Sequence, residues 1–139
     1  MIDPTEAFQT AVRSTLIASP DVVALVQPEN IRELPGRPEN FPSILFGNQK
    51  LEFLGYSGNG WRSGRVSLVL HIWALENAQI ARQIGGAVLH ALETGPADTE
   101  DTMFLDWQRP TLAWMRDPKP ELVATHGAMA LECVAMWRP

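Results

Sequence analysis

The side chains that could do chemistry are few: three histidines (His71, His90, His126), one cysteine (Cys133) and sixteen carboxylates. A zinc site needs three or four ligands, usually supplied in close pairs such as His-x-x-x-His or Cys-x-x-Cys. No histidine or cysteine here has such a neighbour, so neither a metal nor a cofactor is expected. Nucleophilic catalysis would need Cys133 beside a base, and His126 is the only histidine near it. The two fall on what reads as one strand, seven positions apart, so alternation sends them to opposite faces, roughly 20 Å apart or more at full extension. A carboxylate pair such as Glu52 and Glu132 is neither supported nor excluded as general acid and base. Gly58, Gly60 and Gly64, in GNGWRSG, lack the lysine-serine ending of a phosphate loop and lead into a strand, not a helix. His71, in mid-strand, reads as a packed, hydrogen-bonded histidine. The residues therefore point away from an enzyme.

What remains is the chemistry of contact. Trp61, Arg62 and Arg65 sit at the exit of the glycine loop, and Trp107, Arg109 and Trp114 recur further on. Tryptophan and arginine are over-represented where binding energy concentrates, so these six are the candidate protein–protein interface. Local packing of Trp61 is the competing reading. Charged residues make up only 19% of the chain, below the ~25% of an average globular protein, and there are five tryptophans. That balance suits a surface covered by other protein.

The net charge is −5 and no block of Lys or Arg exists, so binding nucleic acid by neutralising phosphates is not expected. Glu93, Asp98, Glu100, Asp101 and Asp106 cluster without a base among them. The cluster reads as a solvated loop; it lacks the alternating oxygen ligands and turn glycine of a calcium loop. A single cysteine allows no internal disulfide, and a reducing compartment is expected. No charged-then-apolar leader is read at the N-terminus, and no run of 18 apolar residues occurs, so no membrane span is expected.

These residues must be carried by a scaffold, which the hydropathy pattern outlines. Asp3-Pro4-Thr5-Glu6 has the residues of a helix start, and Phe8, Ala11, Val12, Thr15 and Leu16 fall on one face. Val22, Val23, Leu25 and Val26 suggest a short second helix. Four prolines between Pro28 and Pro42 mark an extended connection, with room for a short strand at Ile31 to Leu34. Ser43 to Phe46 and Lys50 to Tyr56 read as strand, bulged at Gly47-Asn48. From Arg65 to Leu75, Val66, Leu68, Leu70, Ile72 and Ala74 share one face, while Ser67, Val69, His71 and Trp73 share the other. Neither face is wholly polar, so both are covered or the strand is central. Asn77 can cap the helix that follows, whose stripe is Ile80, Ala81, Ile84, Val88, Ala91 and Leu92 and whose stop is Gly95-Pro96. Gly85-Gly86 inside it costs about 1 kcal/mol each against alanine, which implies close approach of another backbone. Met103 to Met115 reads as strand broken at Pro110, Asp117 to Pro120 as a turn, and Gly127 to Trp137 as a last strand. The chain, residues 1–139, is expected to be one α+β domain: an antiparallel or mixed sheet with an N-terminal helix and one long central helix on one side.

In that order and spacing the chain resembles the small phage tail-terminator (tail-to-head joining, or tail completion) proteins of the DUF3168 type. The opening PTEAFQTAVRSTLIASPDVVALV, the strand FPSILFG after its proline, the strand-to-helix segment LHIWALENAQIARQIGGAVLHAL and the closing MRDPKPELVATHGAMALECVA carry the resemblance, which spans nearly the whole chain. Two places depart from it: Gly85-Gly86 where alanines are more usual, and DTEDTMFLDW in place of a mainly apolar strand approach.

The resemblance implies a structural virion protein, not an enzyme. Such proteins form a hexameric ring on the head-proximal end of the tail tube, stop its growth and meet the head-completion or stopper protein. Implied partners are further copies of the chain, the major tail tube protein and the stopper, with DNA passing through the lumen without specific binding. The implied location is a virion or phage-like particle, gene transfer agents included, after synthesis in a bacterial cytoplasm. Two alternatives stay open: another neck component, such as a head-completion protein, and a small ligand-binding α+β domain.

Overall fold

Asp3 starts the first helix: its carboxylate accepts from the Thr5 backbone N–H at 2.9 Å, and Pro4 fills the first helical position. Such a cap stabilises a helix by about 1 kcal/mol. The computed structural model describes residues 3–34, 36–75, 78–116 and 124–138. Helix α1 (Pro4–Ile17) is followed by a single turn, α2 (Pro20–Val23), capped by Ser19. Strand β1 (Ile31–Glu33) leads through the proline-rich connection to β2 (Ser43–Tyr56). A tight turn at Gly58–Gly60 joins β2 to β3 (Arg62–Leu75). Helix α3 (Ala78–Ala91), β4 (Thr102–Leu105), β5 (Thr111–Arg116) and β6 (Ala124–Trp137) complete the order. Asn77 and the Asp117–Pro120 turn lie outside the described residues.

The strands form one mixed, six-stranded sheet in the order β1-β2-β3-β6-β4, with β5 also on β6. β1 runs parallel to β2; every other pairing is antiparallel. β3 and β6 pair along their whole length, from Arg62↔Trp137 to Leu75↔Ala124. β4 and β5 lie end to end on the outer side of β6, against residues 134–137 and 125–130. The break that Pro110 imposes is therefore a handover between two short edge strands. The strands also run longer than alternation alone suggests: β3 begins at Arg62, and β6 at Ala124.

Both long helices cover one face. Phe8, Val12 and Leu16 of α1 and Ala81, Ile84 and Val88 of α3 meet Val66, Leu68, Leu70 and Ile72 of β3 and Met129, Leu131 and Cys133 of β6. Each large side chain fully buried there contributes about 1.5–3 kcal/mol. Arg13 fixes the approach to β1, donating from Nε to the Ile31 carbonyl at 2.6 Å and from its guanidinium to that of Pro28 at 3.1 Å. Among the described residues, the other face of the sheet is covered at one end, where Leu34 and Phe41 pack on Leu45, Trp73 and Ala124.

Gly85 meets a side chain, not another backbone as the sequence suggested. The Trp114 ring lies between Gly127 of β6 and Gly85 of α3, and a Cβ at either would come within 2.6–2.9 Å of it. Gly86 faces open space. Gly86 of α3 and Gly127 of β6 should therefore respond oppositely to alanine. Gly86→Ala is expected to raise stability by about 0.5–1 kcal/mol, through helix propensity and a less free unfolded chain. Gly127→Ala, which overpacks Trp114, should lower it by about 1–3 kcal/mol. Urea denaturation of the two variants beside the native chain measures both.

Candidate functional site

β2 changes character along its length. Its first four residues, Ser43–Phe46, are buried, but beyond Gly47 it is exposed on both faces. β1 pairs only with residues 44–46, so the outer edge of the rest of β2 has no described strand beside it. Leu51, Phe53, Leu54 and Tyr56 are 39–74% exposed there. Register shifts at Gly47/Lys50 and Phe53/Gly55, with Asn48 at φ 53°, break the edge's regularity. Such bulges discourage indiscriminate strand pairing. An apolar edge that is bulged but left open suits a defined protein contact.

Five of the six sequence-predicted interface residues are held by the fold in distinct ways. Arg62 lies 5.3 Å from the centre of the Tyr56 ring and donates to the Gly60 carbonyl. Arg65 pairs with Glu52 at 3.2 Å across the hairpin, an exposed ion pair worth at most about 1 kcal/mol. Trp61 carries the Arg138 guanidinium 4.7 Å above its ring. Trp114 is half-buried as described, and Trp107 packs edge-on to Phe8 at 6.2 Å and over Gly95. Arg109 is exposed. Trp61, Arg62 and Arg65 thus stand together at the β2–β3 hairpin, whereas Trp107 and Trp114 rest against the helical layer. Sequence reasoning passed over the exposed apolar residues of β2, because an aromatic-rich strand reads as buried until its neighbours are known.

A cleft of about 1060 Å³ lies between α1 and the 94–102 loop. Small side chains of α1 line it, among them Ala7, Thr10, Ala11 and Ser14, and Asp3, Glu6, Asp98, Glu100 and Asp101 stand around it. The acidic loop is anchored, although its carboxylates are exposed. Asp98 accepts from the Phe104 N–H at 2.8 Å, Thr99 N–H donates to the Thr102 carbonyl at 2.9 Å, and Arg138 N–H donates to the Asp101 carbonyl at 3.2 Å. Thr102 is 1% exposed and lines the cleft, and its hydroxyl has no hydrogen-bond partner among the described residues.

On the helix-free face His71 Nδ1 lies 2.8 Å from His126 Nε2, and the Trp73 ring stacks on His126 at 4.0 Å. His71 is the packed, bonded histidine the alternation predicted. Its partner was missed, because it comes from 55 residues away through the β3–β6 register. One nitrogen donates and the other accepts, so both rings cannot be charged without losing the bond. Among the described residues, no three His, Cys, Asp or Glu side chains converge as metal ligands. Cys133 faces the helical core, away from His126, and burial pushes its thiol up to about 12. His71 is depressed below the usual imidazole value by burial.

Two measurements follow from these environments. A group depressed in the folded state binds its proton more readily when unfolded. His71 should therefore cost stability as the pH falls below about 6.5, and the His71→Gln variant should lose that part of the pH dependence in urea melts between pH 7.5 and 5.5. Cys133 should resist a thiol reagent at pH 8 in the native chain and react at once in denaturant.

The tail completion protein gp17 family profile matches residues 10–131. No curated protein sequence matches. A chain of the virion of a native gene transfer agent particle shares the fold at a TM-score of 0.68 and 17% identity, over 92% of this chain and 93% of that one. The gp17 protein of bacteriophage SPP1 does so at 0.61 and 23% identity, over 94% of this chain and 89% of that one.

Proposed function

The chain belongs to the tail completion protein gp17 family, and from that membership we propose that it is the tail terminator of a phage or gene-transfer-agent particle. In this reading it forms a hexameric ring on the head-proximal end of the tail tube, stops tube growth and joins the tail to the neck. The observation that carries the reading is the family match across most of the chain, supported by a fold shared with a chain of a gene transfer agent virion. Its partners are copies of itself, the major tail tube protein and the stopper, and its work is contact, not catalysis.

The surfaces suit this role. A closed ring needs a heterologous interface, with a different patch on each flank of the subunit. The open β2 edge, with Trp61, Arg62 and Arg65 at its hairpin, and the acidic cleft are two distinct patches. Termination follows when one ring face matches the tube and the other offers no site for a further tube subunit. A net charge of −5 leaves the lumen without an affinity for phosphates, so DNA slides through.

Electron microscopy of particles from a strain lacking the gene tests the reading. Overlong tail tubes beside tailless filled heads are expected. Tails of normal length would overturn it and shift the role to a head-side neck component.

A further inference from the structure

We propose that the cleft between α1 and the 94–102 loop seats the β2–β3 hairpin tip of a second copy of this chain, so that each subunit grips the next around the ring. This rests on the ring reading above and supplies its interface.

Charge is the first argument. Residues 93–106 carry five carboxylates and no base, whereas residues 48–65 carry Lys50, Arg62 and Arg65 against Glu52 alone. In a chain of net charge −5, the hairpin is thus the basic segment, facing outward with its aromatic residues. The side chains of Glu6, Glu100 and Asp101 make no hydrogen bond or ion pair among the described residues, so they are open to a cationic occupant.

Shape is the second. A cleft floored by alanine, threonine and serine side chains admits bulky groups, and the hairpin exposes Phe53 at 50% and Tyr56 at 74%. Tyr56 brings an apolar ring with a hydroxyl at its tip. That matches an apolar cleft whose floor holds the orphaned hydroxyl of Thr102, a buried group that gains from a partner.

Topology is the third. Hairpin and cleft are distinct patches at one end of the sheet: Arg62 of β3 and Thr102 of β4 both align with Trp137 of β6, about two strand spacings or ~10 Å apart, and Tyr56 of β2 lies one spacing further. Two distinct complementary patches pair head to tail, the heterologous contact from which a ring is built; a single self-complementary patch would stop at a dimer.

Cross-linking tests the contact directly. Gly58→Cys and Thr10→Cys in one full-length chain place thiols at the hairpin turn and on the cleft, while Cys133 stays buried. A short bis-maleimide, applied both to particles and to concentrated purified protein, is expected to give a ladder ending at a closed ring. No ladder from particles whose tails end normally overturns the contact and leaves the terminator reading standing. A ladder from purified protein, with normal tails in the deletion strain, supports the contact and removes the tail role.

A charge swap gives a second readout. Arg62→Glu should cut the yield of joined particles at least tenfold, and adding Glu100→Lys with Asp101→Lys should restore most of it. A triple variant no better than Arg62→Glu overturns the contact. So does a Glu100→Lys/Asp101→Lys variant that caps normally but ejects DNA slowly, because those acids would then line the lumen.

Discussion

The full-length pairing of β3 with β6 is the constraint on which the rest of the structure depends. Fourteen residues of each strand are in register without a break. That register puts Val66, Leu68, Leu70 and Ile72 on the same face as Cys133, Leu131 and Met129, and so makes one apolar floor for both long helices. A slip of one residue would turn that floor toward solvent and bring the other face inward. The same register carries β4 and β5 on the outer edge of β6, aligns Gly127 with Trp114, and sets His126 diagonally beside His71.

Around that rigid centre the flanks are left unfinished. On one side β1 covers only the first part of β2 and leaves an apolar, bulged edge. Elsewhere, the loop between α3 and β4 lines an acidic cleft against α1 and is anchored by the backbone at Thr99 and Asp101 and by the Asp98 carboxylate. Their separate placement and opposite charge fit a subunit that is completed by its neighbours, as the proposed ring requires.

Much of the scaffold was legible in the chain. Strict alternation outlined β3 and β6, the Phe8-Val12-Leu16 stripe outlined α1, Pro110 marked the handover from β4 to β5, and Gly47-Asn48 marked a bulge. These are local signals, since the period of a pattern and the backbone limits of proline and glycine act over a few residues. The site was less legible. Trp107 and Trp114 looked like the exposed anchors of a partner, yet they rest on the helical layer. Leu51, Phe53, Leu54 and Tyr56 looked like ordinary strand residues, yet they are exposed. Hydrophobicity states that a residue gains from burial, not which surface will bury it.

The sequence by itself determined the α+β class, the positions of the long helices and strands, the inward face of each, and the family resemblance. It also determined the charge contrast between residues 48–65 and 93–106, which needs no coordinates to be counted. Only the tertiary structure decided that the contrast is spatial, with the hairpin beside an open strand edge and the acids around a cleft against α1. It alone decided that two histidines 55 residues apart share a hydrogen bond, and that Gly85 makes room for a tryptophan, not for a backbone. The physical reason is range. Propensity and periodicity are properties of neighbours along the chain, whereas edges, clefts and cross-strand pairs are created by which distant strands meet and in what register.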